Sequence, residues 1–391
     1  MITRELRLSV ARAAVAAGLD DARDPGLRPA GPPGQYAASL ALASPCPRAA
    51  AEAIAAALTD CDWIAQAAVT GPGYVTVRVT PAALLAVARQ VTAAGPACVR
   101  SAALAGVTVP APPPGDPLAA AGWEPARAAL AARVTASLAA AAGATVTPLP
   151  EPERSVPSRP RSGDPGPGGG RPRSAGLTAE PGAGPGRQVA EVADAVAFAG
   201  ADAVTFALAR AVPGKPARVD PRVIARQVTG NPAYAVRYAH ARAAAGLRWA
   251  AASPAADVPG PEAVPPGPPA DPGELALLDA LGWLPERVVT AARRGRPDEF
   301  ARYLADLARV TIDVLSAESH PGSDRLVLAM AARTGLAAGL GLLGVSAPDR
   351  LLAEIKGRKD CEPCRPPGRA ASWGRAARRS PAGAAGGPER A

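Results

Sequence analysis

The chain has 391 residues, enough for two ordinary domains, with 48% hydrophobic residues and a formal net charge of +9. Forty-six prolines, 40 glycines and an aromatic share of only 3% exclude an aromatic-rich core and imply long irregular stretches between cores of Ala, Leu and Val. The basic balance suits a polyanionic partner, yet the segment from Glu354 onward holds 9 basic and 4 acidic residues, so +5 of the charge lies in a tail.

Five cysteines, at 46, 61, 98, 361 and 364, are an odd number without secretory context and are expected as reduced thiols. Arg4, Glu5, Arg7 and Arg12 break up the first residues, and no uninterrupted run of roughly 18 apolar residues occurs. The expectation is a soluble, cytoplasmic protein without a membrane partner.

In chain order, Leu6, Val10, Ala13, Ala14 and Ala17 recur at helical spacing and Gly18 follows as a stop, which predicts a helix over 3–17. Gln35 to Leu42 reads as a second helical start, and Pro47 to Leu58 as an Ala-rich helix with Ile54 and Leu58 on one side. Ile64 to Val69, the turn Gly71-Pro72-Gly73, and the period-2 run Tyr74 to Val79 predict a β-hairpin. Residues 1–100 thus read as a small α/β domain.

From about Ala102 the periodic signal weakens. Leu118 to Ala142 can form one or two Ala-rich helices that pack weakly, and Glu151 to Gly186 is Pro, Gly, Arg and Ser with almost nothing to bury. Residues 101–188 are therefore expected as a Pro/Gly-rich linker, disordered over 151–186, with at most a helical remnant before that. Gly166 to Gly170 has neither a strand before it nor a helix after it, so it lacks the context of a phosphate loop.

Asn231-Pro232 is a helix-start signal, and the following residues carry the clearest functional pattern. At 100° per residue, Tyr234, Arg237, Tyr238 and Arg242 share one face, with Val236, Ala239, Ala243 and Leu247 opposite. Two readings stand. The four are packing and solvated residues of a bundle helix, or they offer stacking surfaces for bases and charge for phosphates, as single-stranded RNA requires.

Beyond a Pro-rich loop from Pro254 to Pro272, helical stripes follow. Leu275, Leu278 and Leu281 predict a short helix, and Leu284 to Ala292 a second with Pro285 in its first turn. Phe300, Leu304, Leu307, Thr311 and Val314 predict a third, and Leu326, Met330, Leu336, Leu340 and Leu343 a fourth. These stripes read as core. The overall fold class is α+β: the α/β domain, the linker, an all-α helical bundle over 189–352, and a basic disordered tail over 353–391.

The bundle resembles the anticodon-binding domain of class I arginyl-tRNA synthetases. Asn231, Pro232, Tyr238, Ala239, His240, Ala241 and Arg242 match its opening motif, with Arg237 where the family has Gln and Ala235 where a second aromatic is common. Gly200-Ala201-Asp202-Ala203 with Phe206 to Arg210 resembles its preceding DALR helix. The end, Gly341 to Arg350, resembles the family's C-terminus, with Leu351 in place of the usual Met.

The α/β domain resembles the same family's N-terminal tRNA-binding domain through Gly34, Tyr36, Ala37, Leu40, Ala41, Gly71, Pro72, Gly73 and Val77. Gln35 and Ser39 depart from it. The resemblance implies tRNA-binding residues Tyr234, Arg237, Tyr238, Arg242 and Leu351 in the bundle, and Gln35 and Tyr36 in the N-terminal domain.

It does not extend to the family's chemistry. Amino-acid activation there uses a His-x-Gly-His motif at a helix start and a Lys-Met-Ser-Lys loop, which stabilise charge on the phosphates. This sequence has two histidines, His240 and His320, and three lysines, Lys215, Lys356 and Lys359, from which neither motif can be written. No catalytic residue, cofactor or metal site is expected, Cys361-x-x-Cys364 being a single pair without further ligands.

Three functions remain open: a tRNA-binding protein without catalysis of its own, participation in ATP-dependent arginyl-tRNA formation, or an interaction module that partners the true synthetase. Arginine tRNA is the first RNA expected.

Overall fold

The computed structural model describes residues 1–20, 24–148, 185–217, 219–252, 271–316 and 323–351. The Gly-rich run at 166–170, most of the Pro-rich loop before 272, His320, and the tail with Cys361 and Cys364 lie outside the described residues.

Helix α1 (Ile2–Ala16) places Leu6, Val10, Ala13 and Ala14 inward, as its periodicity predicts. Strands β1 (Arg28–Pro29) and β2 (Gln35–Ala38) follow, then a 3-10 turn over Leu40–Ala43 and helix α2 (Pro47–Leu58). Strands β3 (Ile64–Thr70) and β4 (Tyr74–Val79) form the expected hairpin and complete an antiparallel sheet in the order β1-β2-β4-β3. Alternation on β4 sends Val75, Val77 and Val79 into the core.

The Ala-rich run at 35–42 is not a helical start. Gln35 pairs with Arg78, Tyr36 with Val77 and Ala38 with Val75, so sheet pairing overrides local helix propensity there.

Helix α3 (Pro81–Ala94) is capped by Thr80, whose side chain accepts from the Ala83 amide at 3.2 Å, and a 3-10 turn (Gly95–Val99) closes this part.

The expected linker contains folded structure. Strand β5 (Thr108–Pro110), helix α4 (Trp123–Ala141) and strand β6 (Thr145–Thr147) form a βαβ unit whose strands pair in parallel. Far from packing weakly, α4 buries Ala126, Leu130, Val134, Leu138 and Ala139. Gly143, at φ +96°, lets the end of α4 approach residues 101–102, and a Cβ there would meet Ala102 Cα and Ser101 O at 3.0 Å.

The bundle comprises α5 (Pro185–Ala199), α6 (Ala201–Arg210), the short α7 (Pro221–Ile224), α8 (Pro232–Ala252), α9 (Pro272–Arg294), α10 (Pro297–Ser316) and α11 (Ser323–Leu343). Two short helices were expected where α9 runs unbroken through Pro285. Proline removes one intrahelical donor, but Leu277, Leu278, Leu281, Leu284 and Val288 keep a continuous buried stripe on either side of it.

Met1–Leu351 form one compact unit. Helix α9 joins its two parts. Thr3 Oγ1 donates to Gly282 O at 2.7 Å, Arg7 donates to the Glu286 carboxylate at 3.2 and 2.5 Å, and a Cβ on Gly282 would meet Ile2 at 3.1 Å. The α/β part therefore rests directly on the bundle.

Two segments among the described residues, Pro81–Val99 and Arg325–Leu343, are long and apolar enough to cross a membrane by length and composition, with mean hydropathies of 1.4 and 1.8. The reading that no span-like stretch exists holds only for uninterrupted apolar runs. Here α3 and α11 face each other, with Val91 Cγ1 4.0 Å from a Cβ built on Gly335.

Candidate nucleic-acid interface

Helix α8 starts where the Asn-Pro signal places it. Asn231 Oδ1 accepts from the Ala233 amide at 3.2 Å, while its Nδ2 donates to the carbonyls of Ile224 and Arg226 at 2.8 and 2.7 Å. Val236, Ala239 and Ala243 are buried in the bundle, which leaves the tyrosine side of the helix facing a groove.

That groove, of about 520 Å³, is lined by α8, the end of α10, the start of α11 and the segment 349–351. It brings together Tyr234, Tyr238, Arg242 and Leu351, four of the seven residues the sequence nominates. The two tyrosine rings stack at 5.5 Å and 17°. Partial burial, and then the neighbouring Tyr238, raise the pKa of the Tyr234 phenol, so its ring presents neutral aromatic surface. Arg242 donates to Leu315 O at 3.0 Å, a cation placed on the last carbonyls of α10.

The strap that forms one lip of the groove is fixed from both sides. Arg248 donates to Asp349 O at 2.9 Å, and Arg333 holds the Asp349 carboxylate at 3.1 and 3.0 Å. His240, buried on the far side of α8, lies 3.0 Å from Pro348 O through Nδ1. Burial keeps its imidazole below the ordinary pKa of 6.5, so the neutral tautomer donates Nδ1–H to that carbonyl. A second cavity, of about 1010 Å³, lies between His240, Arg333 and Asp349 and the ends of α3 and α4.

Arg237 does not line the groove. Its guanidinium pairs with Asp202 at 3.2 Å, and Asp202 also accepts from the Ser346 amide at 3.0 Å and from the Ser346 hydroxyl. An acid in the first turn of α6 stands on this flank of α8 and draws the side chain away, so Arg237 joins α8 to α6 and the strap.

The N-terminal pair is also displaced from the expected role. Tyr36 is 0% exposed; its hydroxyl donates to Asp279 Oδ1 at 2.5 Å and its ring lies 5.7 Å from Trp283. Burial raises the pKa of both partners, Tyr36 and Asp279, and the hydrogen bond joins a neutral phenol to the carboxylate. A residue filled in this way is core, not contact surface. Gln35 is half-buried on the sheet, and neither residue lines the groove.

Two further groove residues carry stacking surface or charge that the sequence reading did not assign to RNA. Trp249, 74% exposed, and Arg350 both line the groove. The signal for Trp249 was present in the sequence: eleven residues beyond Tyr238 is 1100°, or 20° from the same face.

The start of α4 is the one helix entry inside the βαβ unit, and it is occupied by an acid. Glu124 accepts from Arg127 at 2.9 and 2.6 Å and from the Ala217 amide at 2.7 Å, which ties the first turn of α4 to the segment before α7. Among the described residues no group of three or more His, Cys, Asp or Glu is placed to hold a metal ion.

Residues 236–351 match the family described as the DALR anticodon binding domain. An arginine–tRNA ligase of Frankia alni is 38% identical over 149 residues, covering 34% of this chain and 26% of that protein. One of Acidithiobacillus ferrooxidans is 37% identical over 131 residues, covering 31% and 22%. The chain spans about a quarter of the length of these curated relatives. Among solved structures, the arginyl-tRNA synthetase of Thermus thermophilus aligns with a TM-score of 0.59 at 17% identity, covering 89% of this chain and 100% of that one, a likeness of fold. Residues 236–351 are thus similar to DALR anticodon binding domains, and the curated proteins that resemble the chain are arginine–tRNA ligases.

Proposed function

We propose that this protein binds tRNA at the anticodon loop through the α8 groove and does not by itself charge that tRNA with arginine. The observation that carries the reading is the convergence, in one groove of an anticodon-binding domain, of Tyr234, Tyr238, Arg242 and Leu351. Stacked phenol rings give sequence-tolerant surface for unpaired bases, and the arginine-lined walls give a favourable potential for phosphates.

The second half of the proposal rests on residue types. Of the two histidines, His240 is buried against Pro348 O, and the βαβ unit contains neither histidine nor lysine.

Filter binding with an arginine tRNA transcript tests the first half. Tyr238→Ala is expected to weaken binding by about 1–3 kcal/mol, the usual loss for one stacking platform. Unchanged affinity and salt dependence in this variant would remove the groove from the argument. Arginine-dependent ATP–pyrophosphate exchange by the purified chain tests the second half, and robust exchange would overturn it.

A further inference from the structure

The groove extends well past the residues that the motif supplies. Tyr238 and Trp249 lie eleven residues apart on one helix face, a separation of about 16 Å at the α-helical rise. Tyr234 and Tyr238 are stacked on each other, so a base cannot enter between them and only the outer face of the pair is offered. Trp249 leaves three-quarters of its surface in solvent, the largest exposure among the large hydrophobic residues described. An indole in that position contributes little to the bundle's stability.

Charge in the groove is distributed unevenly. Arg242 is engaged by Leu315 O, Arg248 by Asp349 O, and Arg325 by Glu274 at 3.8 Å. Among the described residues, Arg350 is the arginine of the groove that makes no hydrogen bond or ion pair, and it is exposed. Its five donors are the ones left for a ligand.

We infer that Trp249 and Arg350 form a second station of the groove, where a further base stacks on the indole and its phosphate pairs with the guanidinium. The ligand class this defines is a single-stranded RNA run longer than three nucleotides. At a stacked rise of about 3.4 Å, some 16 Å corresponds to about five nucleotides, and fewer when the strand is extended. A duplex does not fit the description, because paired bases offer no faces to separate aromatic platforms. The inference rests on the proposed RNA-binding groove and adds the number of unpaired nucleotides it engages.

The test uses the full chain with three probes: the anticodon stem-loop of an arginine tRNA, an oligouridylate heptamer and the corresponding trimer. Trp249→Ala is expected to weaken the heptamer and the stem-loop about tenfold and the trimer less than about twofold, with Trp249→Phe recovering most of the loss. Arg350→Ala is expected to lower the salt dependence of heptamer binding by about one phosphate contact, while Arg350→Lys retains it. Equal urea midpoints for wild type and variants keep folding out of the comparison.

If Tyr238→Ala loses affinity while Trp249→Ala does not, the second station is absent and the groove reading stands. If the trimer suffers as much as the heptamer from Trp249→Ala, the length argument is overturned. If wild-type protein binds none of the three RNAs, the groove reading fails and the inference fails with it.

Discussion

Tyr36 and Tyr238 are both tyrosines that a motif assigns to tRNA, and the fold treats them in opposite ways. Tyr238 keeps a half-exposed ring, stacked on Tyr234, because the strap at 349–351 stands off from it across a groove. Tyr36 lies on a short central strand, and α9 closes over it with Trp283 and Asp279. A matched residue type therefore fixes what a side chain can do, and the element packed over it decides which of those things it does.

The largest effect that separates the two is on stability. Tyr36→Ala is expected to cost about 3–5 kcal/mol, as for other fully buried aromatics, read as a shift in the urea midpoint. At temperatures where that variant is folded, its RNA affinity should equal wild type, whereas Tyr238→Ala should lose affinity and keep most of its stability. Weakened RNA binding by folded Tyr36→Ala would put the N-terminal sheet back on the RNA and collapse the comparison.

Gly143→Ala comes next, at about 1–3 kcal/mol of destabilisation, because it strains a positive φ and drives a methyl into the backbone of residues 101–102. A neutral outcome in thermal unfolding would mean that the βαβ unit is a loose appendage. Arg237→Gln, which restores the residue type of the resembled motif, should cost under about 1 kcal/mol and change tRNA affinity by less than about twofold, since the side chain is spent on Asp202. A clear gain or loss of affinity would return it to the RNA face.

The smallest effect is a pH slope. His240 is held below 6.5 by burial, so the unfolded chain binds the extra proton first, and stability declines as pH falls from 6.5 toward the lower folded value. His240→Gln should flatten that part of the stability profile. If wild type and variant slopes coincide, the imidazole is not buried as described.

Much of this architecture is visible in the sequence where periodicity is clean. The β3–β4 hairpin follows from alternation around Gly-Pro-Gly, and α1, α2, α10 and α11 from apolar residues at helical spacing. The failures have identifiable causes. Alanine-rich Gln35–Ala38 favours a helix until strand β4 pairs with it. Helix α4 is so rich in alanine that no apolar side stands out, although its packing buries Leu130, Val134 and Leu138. Pro285 marks an end locally, but the leucines on both sides carry α9 through it.

At the site, the stacked tyrosines were legible from their spacing of four. The diversion of Arg237 was not, because Asp202 lies 35 positions away and only the packing of α6 on α8 brings it near. Trp249 could have been found by carrying the same helical wheel two more turns.

Helix α9 carries a consequence for anyone wishing to borrow the helical bundle alone. Its buried surface is shared: Gly282, Trp283 and Glu286 are covered by Ile2, Tyr36 and Arg7, while the opposite side faces α10 and α11. Excising the bundle at residue 189 would uncover an indole and strand a carboxylate without its arginine, giving a fragment prone to self-association. A portable version needs the N-terminal part and α4 kept, because α9 packs on α3 and α4 as well.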